Sequence, residues 1–395
     1  MATKYKRIKA RIERDKIKRI ERQNFKQNNL ENTITFQNYL NALKKCNKNV
    51  SYKKSVQHFN MFAIENIHKI INDIHNGEPP VTKEVPKIII MERGKERIIT
   101  PIAFYDRITQ RVICDNILTP YLSKSLIYDN GASMKGKGVS FARKRIMKHL
   151  QKAVKKYGND FYVLSFDFKS FFDSIPHAQC KNILNNSIKD RDIKNLILKI
   201  VVSYAISDIE QSNKSSSEKE NLINEIFKLN GRGICLGSQI SQLMALSIPN
   251  QIDHLIKEKW KIKGYERYMD DGIIIHHDKG CLKRILKSII ECAESLGLSL
   301  NLKKTKIIKV SKGFTFLKIR YFVTKTGKIV RKLTRGNIVR MRRKLKKFKK
   351  MVDNKKMTIE DVKASLQSWL TYSKSALSFR TKKNMICLYR NIFCY

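Results

Sequence analysis

Two apolar runs in this 395-residue chain end in carboxylates, and that limits the folds open to it. Phe161-Tyr162-Val163-Leu164-Ser165-Phe166 is dense in β-branched and aromatic residues and reads as a strand. Asp167 ends it. Tyr265 to Ile275 reads as strand, turn and strand, with Asp270 and Asp271 at the hairpin tip. Acids at the ends of adjacent buried strands repel one another unless a cation joins them. A hard cation such as Mg²⁺, which takes carboxylates together with substrate phosphates, suits that need. A single Asp after a strand is more often a turn residue, so Asp167 gains its meaning from the other two.

Around these runs the pattern is α+β. Residues 36 to 78 carry apolar positions at helical spacing and stop at Gly77-Glu78-Pro79-Pro80. Lys87–Met91 and Arg97–Thr100 read as two short strands about a turn at Arg93-Gly94-Lys95. Helical periodicity follows to about 126, from about 139 to 157, and over 177 to 229, where the polar stretch Ser212–Glu218 reads as a loop. Further strands are expected at Lys306–Val310, Phe314–Tyr321 and Lys328–Val330. The stretch 335 to 395 reads as helical, with Ile338, Met341, Leu345 and Phe348 on one face. Residues 1 to about 30 are basic, with Ile8, Ile12, Ile17 and Ile20 at helical spacing.

Charge indicates the partner. Lys and Arg number 81 against 34 Asp and Glu, a formal net charge of +47. Such an excess repels itself in a compact state and fits a polyanionic partner. Nucleic acid rewards many phosphate contacts by counterion release. No acid occurs between Ser295 and Val352. No apolar run reaches the ~18 residues that span a bilayer, and the N-terminus has no secretory h-region. The eight Cys form no CxxC pair and the eight His no HExxH spacing, which excludes the common zinc patterns and fits a cytoplasmic protein with reduced thiols.

The tetrapeptide Tyr268-Met269-Asp270-Asp271 resembles the Tyr-x-Asp-Asp box of reverse transcriptases. Other stretches follow that family's order. Asp167-Phe168-Lys169-Ser170-Phe171-Phe172 resembles its first catalytic box, which makes Phe172 the expected steric gate against a ribose 2′-hydroxyl. Leu236-Gly237-Ser238-Gln239-Ile240-Ser241-Gln242 falls where the family places its template- and nucleotide-binding box, and Gly237 would permit close backbone approach. Arg97–Pro101, Asp106–Gln110 and Ser133–Gly138 resemble the fingers motifs. Leu300–Thr305 resembles the motif whose Lys assists pyrophosphate departure, and Phe316-Leu317-Lys318 the primer-grip turn, with Lys318 where Gly is usual. Ser241-Gln242 departs from the Ser-Pro of many group II intron enzymes. It is closer to diversity-generating retroelement and defence-associated bacterial reverse transcriptases.

The resemblance covers roughly residues 85 to 325. It implies a right-hand polymerase: a basic N-terminal extension over 1–35, fingers over 36–160 with part of 177–232, an antiparallel-sheet palm backed by helices over 161–325, and a basic helical thumb over 326–395. It assigns Asp167, Phe168, Asp270 and Asp271 to the metal site and Lys304 to general-acid work. Arg97, Lys135, Lys137, Phe168, Phe172, Gly237 and Gln242 fall to the nucleotide. Mg²⁺ is the expected cofactor, with Mn²⁺ able to replace it in vitro, and dNTPs are the expected substrates. An RNA template, a DNA primer or product, an accessory protein and no membrane are the expected partners. No stretch resembles an RNase H, protease, integrase or HNH domain, which favours work with a dedicated non-coding RNA, in antiphage defence or in diversification of a target gene.

Overall fold

The computed structural model describes residues 29–78, 88–92, 95–99, 101–210 and 230–393, with a few isolated positions besides. The basic N-terminal segment, Pro79-Pro80 and most of the Ser212–Glu218 loop lie outside the described residues. The chain divides into two compact units, each made of several segments.

The first unit comprises Met1–Ile127, Lys169–Ile252 and Cys292–Ser299. Strands β1 (Ile88–Glu92) and β2 (Lys95–Ile99) form an antiparallel pair with Ile90 opposite Arg97. Helices Phe36–Cys46, Ala63–His75 and Phe104–Ile113 bury Tyr39, Ile67, Ile70, Ile108 and Val112. The Ala63–His75 helix stops where the sequence predicts, at Gly77, which adopts φ +81°. Such a left-handed position favours glycine because it has no Cβ.

The second unit comprises Tyr128–Phe168, Asp253–Glu291 and Leu300–Tyr395. Strands β3 (Tyr162–Phe166), β4 (Tyr265–Tyr268), β5 (Asp271–His276) and β6 (Lys306–Lys309) form an antiparallel sheet in the order β4-β5-β3-β6. The two strands that carry acids are therefore neighbours. Behind them, the Val139–Tyr157 helix buries Ala142, Ile146, Leu150 and Ala153. These residues join Phe161, Val163, Ile273 and Ile275 in one core.

That core continues into a second sheet, β7 (Phe314–Phe316), β8 (Ile319–Val323) and β9 (Ile329–Leu333). It also takes in the helices Arg335–Asp353, Ile359–Ser373 and Phe379–Phe393. Met341, Leu345 and Phe348 are buried, as their spacing predicts. The stretch Phe314–Tyr321, read in sequence as one strand, is two strands of a hairpin. Leu317 and Lys318 form its two-residue turn, both left-handed at φ +46° and +68°. Two residues with positive φ match the twist of a tight hairpin. Lys318 thus adopts a backbone normally given to Gly. Arg143 Nη2 donates to the Leu317 carbonyl at 2.6 Å, and Tyr372 Oη to that of Lys318 at 3.2 Å.

Candidate active site

The sheet register brings the acids together. Phe166 faces Gly272 across the β3–β5 ladder, so Asp167, one residue on, lies at the same end as Asp271, the first residue of β5. Asp270 belongs to the turn between β4 and β5, where Tyr268 pairs with Asp271. Met269 in that turn is left-handed, at φ +54°.

Asp167 is buried, and its neighbours hold its backbone. The Asn301 amide donates to its carbonyl at 2.7 Å, and Phe168 bridges Leu300. The Lys304 and Thr305 amides close a turn onto the Asn301 carbonyl at 3.0 and 2.9 Å. This turn presents Lys304, whose Nζ donates to Asp167 Oδ2. That hydrogen bond, backed by the charges of all three acids, holds the Lys304 ammonium above its ordinary value.

For Asp270 and Asp271 the surroundings disfavour the charged form. Burial, then the neighbouring Asp167, pushes Asp270 up. Burial and the charges of Asp270 and Asp167 push Asp271 up to about 7. Three acids faced by one lysine form an under-neutralised oxygen cluster, and a hard divalent cation fits that donor set. Asp167, Asp271 and Lys304 line a pocket with Ser165, Gly272 and Phe316. Phe168 is buried, with its ring edge-on to Phe166, and offers a cation only its main-chain carbonyl.

The other expected residues are placed as follows. Lys135 is exposed. Lys137 is engaged: its Nζ donates to the Tyr128 carbonyl at 2.9 Å and lies 5.4 Å from the ring centres of Tyr128 and Phe141. Phe172, Gly237, Gln242 and Arg97 belong to the first unit. Phe172 is half-buried and edge-on to Phe171, which is the core member of the pair. Gly237 adopts φ +120°. The next residue, Ser238, caps the Gln239–Ser247 helix and donates to Gln110 Oε1 at 2.9 Å. Gln242 is exposed on that helix. Arg97 lies in β2, and its side chain is outside the described residues.

Two charged groups beside the acids have no counterpart in the sequence reading. The first is Arg267 with Asp253, both fully buried and joined at 2.6 Å. The second is Asp129, His149 and Glu266, whose donor atoms lie within 4.8 Å of one another. Their chemistry suits a metal ion, but protein cations already occupy the Asp129 carboxylate: Arg145 at 2.5 Å and Lys257 at 2.8 Å. Burial alone would raise Asp129, yet His149, Arg145 and Lys257 hold it well below the usual carboxylate range. Neither Glu266 oxygen has a hydrogen-bond partner, and burial followed by the Asp129 charge pushes it up to about 9. The available signal was the charged pair Glu266-Arg267 inside an otherwise apolar strand.

Comparison with known proteins gives the following matches. Residues 81–321 match the family model described as "Reverse transcriptase (RNA-dependent DNA polymerase)". No curated protein matches in sequence. Solved structures that resemble the chain include apo telomerase from Candida tropicalis truncated from its C-terminal domain, at 16% identity and TM-score 0.42, over 63% of this chain and 54% of that one. Another is Candida albicans telomerase with a TWJ fragment of telomeric RNA, at 15% identity and TM-score 0.42, over 76% of this chain and 54% of that one. The chain thus spans about half the length of these structures. No helix among the described residues is long and apolar enough to cross a membrane.

Proposed function

Because this chain belongs to the reverse transcriptase (RNA-dependent DNA polymerase) family, we propose that it is an enzyme that extends a primer with dNTPs on an RNA template. The observation that carries this proposal is the meeting of Asp167, Asp270 and Asp271 at one end of the β3–β5 ladder, with Lys304 on Asp167. Asp167, Asp270, Asp271 and the Phe168 carbonyl would hold the metal. Two Mg²⁺ ions bound there, or Mn²⁺ in vitro, would activate the primer 3′-hydroxyl and offset charge on the leaving pyrophosphate.

The chain's own residues do the rest. Asp270 and Asp271 supply oxygens whose charged form burial and the neighbouring acids disfavour, and an incoming positive charge would favour. Lys304 keeps its proton at neutral pH, because Asp167 stabilises the ammonium. On leaving Asp167 its Nζ can give that proton to the departing pyrophosphate. Phe172 would exclude the 2′-hydroxyl. Gly237 and Gln242 would contact the nucleotide and template. Arg97 and Lys135 would contact the triphosphate, joined by Lys137 once it releases the Tyr128 carbonyl. Fingers at 36–160, with part of 177–232, palm at 161–325 and thumb at 326–395 remain the division we assign, with 1–35 as a basic RNA-binding extension.

The net charge of +47 supports a long nucleic-acid contact, which fits a dedicated non-coding RNA. We assign the biological role to antiphage defence. Ser241-Gln242 equally favours the diversity-generating retroelement enzymes as relatives. A purely RNA-binding or splicing-assistance role fits less well, since three clustered acids repel phosphate.

Primer extension on RNA with Mg²⁺ and dNTPs tests the enzyme. Wild type should incorporate, and Asp270→Ala/Asp271→Ala should not. Equal absence of product from both, across templates and copurified partners, would remove the proposal. Sequencing the copurified nucleic acid tests the template.

A further inference from the structure

Arg267 reaches in two directions from β4. Its Nε donates to Asp253 Oδ1 and Oδ2 at 2.8 and 3.0 Å, and its Nη2 to Oδ2 at 2.6 Å. Tyr265 Oη donates to the same carboxylate at 2.6 Å. The remaining arm, Nη1, donates to the Met269 carbonyl at 2.9 Å. Arg267, Asp253 and Tyr265 are all fully buried. Burying such an ion pair gives little net stability compared with apolar packing of the same volume. The forked geometry does fix the guanidinium in one orientation.

What that orientation holds is a strained backbone. Met269 is left-handed without being glycine, a backbone that L residues adopt only at a cost. Conformations of this kind persist only where their surroundings over-determine them. The Met269 carbonyl belongs to the peptide unit that carries the Asp270 amide, so its direction sets where Asp270 and Asp271 leave the turn. We propose that Arg267, clamped by Asp253, is a positioning residue that locks the Met269 peptide and so aims the two carboxylates. The inference rests on the reading that these carboxylates hold the catalytic cation.

The test uses the full-length protein and Mn²⁺ as probe. Mn²⁺ binding in the presence of dNTP is followed by electron paramagnetic resonance, and nucleotide addition is measured separately. Arg267→Lys keeps a cation for Asp253 but lacks the fork. We expect it to melt as a folded protein and to bind Mn²⁺ about 10-fold more weakly, the loss typical when a metal ligand's supporting partner is removed. Its rate at saturating dNTP should fall on the order of 10-fold or more, with the dNTP KM changed less than about 2-fold. If that variant does not fold, Tyr265→Phe removes only one donor to Asp253 and should shift both readouts in the same direction by a smaller factor. A folded variant with wild-type Mn²⁺ affinity and rate overturns the inference. Wild-type protein that binds Mn²⁺ but extends no primer overturns the polymerase proposal instead, and the Mn²⁺ comparison still decides this one.

Discussion

Gly272 and Phe166 meet across the β3–β5 ladder with the Phe166 ring over the glycine, leaving no space for a Cβ. Phe166 cannot withdraw, because it is buried between Phe168, edge-on at 6.1 Å, and Tyr265, stacked at 6.4 Å. Gly272→Ala is therefore an overpacking change directly after Asp271. It should destabilise the protein by roughly 1–3 kcal/mol and lower nucleotide addition further than the folded fraction explains. Chemical denaturation and single-nucleotide extension measure the two effects. Unchanged stability would show that the ring has room to move.

Lys304 is the one lysine bonded to the acid cluster among the described residues. Lys304→Ala should reduce the rate of nucleotide addition about 10²-fold, the lower end for a lost general acid. Lys304→Arg, which keeps the cation but does not release its proton at neutral pH, should restore Asp167 pairing without restoring the rate. A rate for Lys304→Arg close to wild type would mean that charge alone suffices.

Glu266 makes stability depend on pH. Its pKa rises from an ordinary 4.5 to about 9 on folding, so the native state holds a proton that the unfolded chain releases. The stabilising contribution is complete below about 4.5 and is lost as pH rises toward 9. Each pH unit in that window removes up to ~1.4 kcal/mol. Glu266→Gln stays neutral throughout, so its melting temperature should fall less than that of wild type between pH 6 and pH 9. Parallel profiles for the two proteins would sink this account.

The turn at Leu317-Lys318 carries a testable strain. Lys318 is left-handed at φ +68°, and its carbonyl, not its side chain, accepts the Tyr372 hydroxyl. Lys318→Gly should therefore keep that bond and stabilise the protein by roughly 0.5–1 kcal/mol, the left-handed cost less the entropy of glycine. Urea unfolding of the two proteins gives the difference.

Phe172 is half-buried, edge-on to Phe171 at 5.8 Å between ring centres. Phe172→Val should admit ribonucleotides, raising the ratio of rNTP to dNTP incorporation at least about 10-fold. Unchanged exclusion would remove the gate assignment.

Much of the local structure was legible in the chain. A run such as Phe161–Phe166 forms a strand wherever it is buried, and helical spacing of Met341, Leu345 and Phe348 demands a packed face. The hairpin with Asp270 and Asp271 at its tip needed only its own residues, and the ordered motifs were enough to indicate the family. Partners distant in sequence were not legible. Lys304 was expected to serve as an acid, but its pairing with Asp167, 137 residues away, needed the fold of the Asn301 turn. Glu266 and Arg267 were not singled out in the sequence. Only packing decided that Arg267 would find Asp253 and the Met269 carbonyl, while Glu266 would find no hydrogen-bond partner. The sequence alone determined which segments become strands and which acids end them, because periodicity and residue type act over a few residues. The tertiary structure decided what each buried charge faces, because a charge takes its environment from whatever the register and the helices bring beside it.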